Sequence, residues 1–198
     1  IADAARATLA EFEKVDSIRA QTERALRQAD GEQRALLTDI ASTIWREPRD
    51  FMNALHRLRE RRGQVQLLRE LRYADTARID RMDTALVDEQ QRVGGRALQF
   101  LAEPKALDGP RAAVATIAAQ LPQAQTTPAL AAHLAALDEH AGGLDVLTEQ
   151  LGNLPGGDPV VRTAILDRVS SLYADINRLR ADARQRRKSL GATEAAAE

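Results

Sequence analysis

The pattern that most limits the fold lies near the C-terminus. Ile165, Val169, Leu172, Ile176, Leu179 and Ala183 follow one another at intervals of 4, 3, 4, 3 and 4 residues. This is a heptad seam, which needs a partner helix to bury it. Ile79, Met82, Leu86, Val93, Ala97 and Phe100 keep nearly the same spacing, with Glu89 interrupting it. Short loops favour antiparallel pairing of these two runs within one chain, although a parallel pair of two copies would also satisfy the seam. Strands are not expected, because no stretch alternates apolar and polar residues over five or more positions with β-branched content. Composition points the same way. Apolar residues make up 44% and charged residues 29%, but aromatics only 3%, a balance typical of long helices. The expectation is an all-α chain: an elongated antiparallel coiled coil with a small helical bundle.

Breaks in the pattern divide the chain. Ala5, Leu9, Phe12, Val15, Ile18 and Leu26 predict a helix over 1–28, ended by Asp30-Gly31. A short helix over 32–46 would follow, with Leu37, Ile40, Ala41, Ile44 and Trp45 on one side. Pro48 suits a first helical position, where its missing N–H costs nothing. No hard stop then appears before Glu103-Pro104, although a bend is expected at Gly94-Gly95. Leu67, Leu68 and Leu71 widen the apolar face, which places the bundle around 32–74 with Trp45 inside it. The divisions are therefore 1–47 as N-terminal helices of the bundle, 48–103 as one long coiled-coil helix, 104–157 as short capping helices, and 158–198 as a return helix. Ile1 and the helix-prone ATEAAAE end suggest a piece of a longer protein, with the arm continuing at both ends.

Several function classes find no support. A net charge of −1 gives no whole-molecule field toward nucleic acid or anionic lipid. The absence of cysteine removes thiolate chemistry and fits a reducing cytoplasm, the expected setting. No window reaches the roughly 18 apolar residues of a membrane span, and no signal peptide is visible. The sequence has neither Gly-x4-Gly-Lys-Ser/Thr nor Gly-x-Gly-x-x-Gly, so no nucleotide cofactor is expected. His133 and His140 are seven apart, and only His56 remains as a third histidine, on another helix, so no metal site is expected either. Asp138-Glu139-His140 follows a helical pattern and reads as a helix surface. Asp75, Asp80, Asp83, Asp88 and Glu89 read as a solvated face matched by Arg72, Arg78, Arg81 and Arg92. An enzyme is the least supported class, since no catalytic residues converge.

Charge is unevenly distributed. LHRLRERRGQVQLLRELR, residues 55–72, has six arginines and two glutamates, and RLRADARQRRK, residues 178–188, has six basic residues and one acid. Two readings compete. Arg57, Arg59, Arg61, Arg62, Arg69 and Arg72 spread over about half the helix circumference at 100° per residue. That favours bundle-edge arginines whose stems cover apolar surface over one phosphate-tracking stripe. The residues that would serve contact with nucleic acid or an acidic partner are Arg57, Arg61, Arg62, Arg69, Arg72, Arg184, Arg186, Arg187 and Lys188.

Two blocks carry a resemblance: residues 36–80, with Trp45-Arg46-Glu47-Pro48, Leu55-His56-Arg57-Leu58-Arg59 and Leu71-Arg72-Tyr73, and residues 143–190. Together they resemble the helical region of a family of very large bacterial proteins described as DNA repair ATPases. That family carries an AAA-type module after a long coiled-coil section. The resemblance implies a non-catalytic coiled-coil module, with the rest of the parent ATPase as its first partner and another protein or a second copy as further ones. The ATPase motifs are absent from these residues, so no catalytic role carries over. A nucleic-acid-binding arm is the alternative. An extracytoplasmic sensor bundle, also helical and cysteine-poor, is a third reading and would need flanking membrane spans.

Overall fold

The computed structural model describes residues 1–197. The chain is all-α, and no strand occurs among the described residues. Its helices are α1 (Ala2–Ser42), α2 (Pro48–Leu67), α3 (Thr76–Ala102), α4 (Asp108–Gln120), α5 (Thr127–Asn153) and α6 (Pro159–Ala197). Short 3-10 turns, Leu68–Glu70, Pro104–Leu107 and Leu121–Gln123, fill three of the connections. The chain divides into two compact units, Ile1–Val93 and the residues from Gly94 onward.

The N-terminal unit is a three-helix pack. Leu26, Leu36 and Ile40 of α1 are buried together with Phe51, Leu55, Leu58 and Val65 of α2 and Ile79, Met82, Leu86 and Val93 of α3. Trp45 is buried as expected, its ring 5.8 Å from that of Phe51. Asp50 fixes the start of α2 by accepting hydrogen bonds from the backbone N–H groups of Arg46 and Glu47, at 2.7 and 3.2 Å.

Several expectations for this region are corrected. Residues 2–42 form one helix without a break at Asp30-Gly31. A helical glycine costs about 1 kcal/mol, and burial of Leu26 on one side of it and of Leu36 and Ile40 on the other outweighs that. The helix then stops at Ser42, leaving Ile44 outside it and 79% exposed. The single helix expected over 48–103 is two helices with a turn between them. Tyr73 adopts a left-handed conformation (φ 62°), which glycine or asparagine usually supplies at a helix end. Asp75 then caps α3, its carboxylate accepting from the Arg78 N–H at 3.1 Å. Leu67 and Leu71 do not widen a buried face, since they are exposed on this turn.

The C-terminal unit is built on α5 and α6. Arg180 meets Asp138 at 2.6 Å, Thr127 meets Glu194, and Arg162 reaches the Leu154 carbonyl, so the two helices run antiparallel. The heptad positions Ile165, Val169, Leu172, Ile176 and Ala183 are buried, with Leu179 half-buried. Their partner is α5, whose Leu130, Leu134, Leu137, Ala141, Leu144 and Leu151 form a seam of the same kind. This corrects the pairing expected with Ile79, Met82 and Leu86, which serve the core of the N-terminal unit. The helix expected from Thr127-Pro128 to about Leu151 is present as α5, and it serves as the seam partner rather than as a cap.

No break occurs at Gly94-Gly95, as α3 runs through both residues. Gly94 has a different task. A Cβ there would collide with the Pro155 carbonyl, so the glycine lets the α5–α6 loop lie directly on the helix backbone. In the same loop Gly157 combines φ +84° with close approach to Leu98, which requires glycine on both counts.

Candidate interaction surfaces

Four of the six arginines of 55–72 are drawn into contacts with a neighbouring helix. Arg57 of α2 pairs with Asp39 of α1 at 2.6 Å, and Arg61 with Glu32 at 2.8 Å. Arg62 reaches Asp83 of α3 with two nitrogens, at 2.7 and 3.4 Å, and Arg69 reaches Asp80 at 2.6 Å. These partners follow from antiparallel packing. α2 runs back along α1, so residue 57 meets 39 and residue 61 meets 32. α3 then runs back along α2. Arg72 keeps an exposed side chain 5.7 Å from the Tyr73 ring, while its carbonyl accepts from the Thr22 hydroxyl.

The electrostatics follow this geometry. Hydrogen bonding from Arg62 holds the Asp83 carboxyl below the usual range against the opposing effect of burial, and the same bond raises the Arg62 guanidinium. Hydrogen bonding from Arg61, with help from Gln28, lowers Glu32. Two backbone N–H groups lower Asp50. Asp83 and Asp80 are therefore matched from α2 and from the 3-10 turn after it rather than by arginines of their own helix, whereas Glu89 keeps the local partner Arg92 at 2.7 Å. A cleft of about 640 Å³ is lined by Glu32, Asp39, Arg57 and Arg61, and these ion pairs bridge it.

The second basic segment divides. Arg178 pairs with Asp175 of its own helix, and Arg180 with Asp138 of α5, which raises the Arg180 guanidinium. Arg186 donates to the carbonyls of Pro122 and Ala124, closing the turn before α5. Arg184, Arg187 and Lys188 stay exposed and line an open cleft of about 390 Å³ with Thr127 and Gly191. Glu194, which sequence reasoning passed over, accepts from the Thr127 hydroxyl at 2.7 Å and ties α6 to the start of α5.

Asp138 is a helix-surface residue held by Arg180, and no group of three or more His, Cys, Asp or Glu residues could hold a metal among the described residues. No helix among them is long and apolar enough to cross a membrane. Leu9 and Phe12, apolar positions of the expected first helix, are exposed in early α1. Phe12 shares the heptad position of buried Leu26, Gln33 and Ile40, whereas Leu9 falls on the flank that also carries Glu23 and Asp30. A model for a domain of unknown function (DUF7902) matches residues 105–189, a stretch inside the C-terminal unit and under half of the chain. No curated protein and no solved structure matches the chain.

Proposed function

We propose that this chain is a non-catalytic helical interaction module of a larger cytoplasmic bacterial machine, the kind of ATPase that its sequence resembles. It would set distance and pass motion between the motor and a partner. The observation that carries this reading is the way charge is used. Arg57, Arg61, Arg62 and Arg69, which gave the sequence its nucleic-acid look, each bridge to a neighbouring helix. The long antiparallel α5–α6 pair supplies a stiff lever, about 58 Å along α6 at 1.5 Å per residue. A nucleic-acid-binding arm is the second reading, and it rests on the exposed Arg184, Arg187 and Lys188.

Fluorescence anisotropy with single- and double-stranded DNA probes separates the two. The first reading expects no binding even at low salt. Micromolar binding that collapses with salt, and on changing Arg184, Arg187 and Lys188 to Ala, would replace it with the second.

A further inference from the structure

The first half of α1 continues a packed seam beyond its cover. Leu26, Gln33 and Ile40, seven residues apart, are buried at one heptad position, and counting back by sevens reaches Arg19, Phe12 and Ala5. Thr22 and Leu36 are buried at the other position, which leads back to Val15 and Thr8. The cover ends at the α2–α3 turn, where the Thr22 hydroxyl meets the Arg72 carbonyl and the Arg19 guanidinium lies 4.8 Å from the Tyr73 ring centre. Before that point Leu9 and Phe12 are 59% and 64% exposed, and Val15 and Ile18 are half-buried. This leaves roughly 25–30 Å of amphipathic helix uncovered among the described residues.

The covered half shows what its flanks accept. Glu23, Asp30, Glu32 and Asp39 occupy the positions on either side of the seam. Each takes an arginine from α2 or α3: Arg78 at 3.0 Å on Glu23 and 3.7 Å on Asp30, Arg61 at 2.8 Å on Glu32, and Arg57 at 2.6 Å on Asp39. Glu11 and Asp16 hold the same flanking positions beside the open seam. They have no ion pair among the described residues. No lysine or arginine flanks that part of the seam. A second copy would therefore set acid against acid. A parallel pair would place Glu11 beside Asp16, and an antiparallel pair would face each flank with its own kind.

We propose that residues 2–20 of α1 are a docking seam for a partner helix that has an apolar heptad stripe flanked by lysine or arginine. The inference rests on the interaction-module reading and supplies its contact site and the chemistry of its partner. α2 is the internal template, with Leu55, Leu58 and Val65 as the stripe and Arg57 and Arg61 beside it.

The test uses the whole chain and two labelled three-heptad peptides with leucine along the stripe, one flanked by lysine and the other by glutamate. The lysine peptide should bind at least about tenfold more tightly than the glutamate peptide. Phe12→Ser should weaken it by about tenfold, with an unchanged circular dichroism spectrum because Phe12 is exposed. Glu11→Lys with Asp16→Lys should reverse the preference between the peptides. Four results would overturn the proposal: no binding of either peptide, equal binding of both, binding indifferent to Phe12→Ser, or self-association of the chain that Phe12→Ser abolishes. The last result would assign the seam to a second copy. All four leave the DNA-binding result untouched, so the two readings fail separately.

Discussion

The two units reach all-α packing by different means. In the N-terminal unit, buried Thr22, Gln33 and Glu89 interrupt the apolar interior, and arginines of α2 and α3 bridge to carboxylates across the helix boundaries. Gln33 donates to the Met82 carbonyl at 3.0 Å, while its own buried oxygen has no partner. In the C-terminal unit, α5 and α6 meet along Leu, Ile, Val and Ala, and the buried residues there are all apolar. An apolar seam binds tightly but is tolerant of register. Ion pairs between exposed groups add only about 0–1 kcal/mol each, yet they fix which residue faces which. The comparison teaches that a basic stretch in a helical chain can encode register rather than a ligand.

The contrast predicts where substitutions matter most. Leu172→Asp, at a seam position only 3% exposed, should remove several kcal/mol by burying an unpaired charge. The melting temperature reads this, and an unchanged value would mean that α6 does not pack by its heptad face. Next in size is Gly94→Ala, where the added methyl meets the Pro155 carbonyl; a loss of about 1–3 kcal/mol is expected in urea unfolding. Gly31→Ala is the opposite case, because nothing lies within 4 Å of the added carbon inside a continuous helix. It should stabilise by about 1 kcal/mol, and a loss instead would show that α1 is broken at Gly31.

A smaller effect separates the units by pH. The carboxyls held below their ordinary values, Asp83, Asp50 and Glu32, all lie in the N-terminal unit. They bind protons less readily folded than unfolded, so their contribution is complete above the ordinary carboxylate range, about pH 4. It is lost as pH falls below that range toward their lowered folded values. The only tryptophan, Trp45, lies in this unit, so its fluorescence should show a lower unfolding midpoint in acid. Insensitivity of that midpoint between pH 5 and pH 3 would sever the carboxylates from stability.

Much of the helical architecture could be read from the residues, because Pro48, Pro128 and Pro159 mark helix starts and the α6 heptads mark a buried face. The misreadings share one physical cause. Local punctuation carries no information on tertiary burial, so Asp30-Gly31 signals an end and Tyr73, with no Gly or Pro beside it, does not. The α6 seam was legible, but its partner was not. Periodicity marks a face as buried without naming its neighbour, and α5 offers leucines at the same spacing as the Ile79–Met82–Leu86 run. The arginines of 55–72 read as bundle-edge residues, but the carboxylate partners of Arg57, Arg61, Arg62 and Arg69 depend on the antiparallel course of α1, α2 and α3. The open seam of α1 was visible as periodicity only. Its lack of a neighbour emerges when the turn at Tyr73 is seen to end the cover.

The most direct test of the central claim, that these arginines hold helices together, is a charge swap at Arg62 and Asp83 followed by chemical denaturation. Arg62→Glu alone and Asp83→Arg alone each set like charges across the α2–α3 contact and should each cost about 1 kcal/mol. The double exchange, which restores an opposite pair, should recover most of that loss. If both single variants unfold like the parent, or if the double exchange recovers nothing, the arginines face solvent and the register account is wrong.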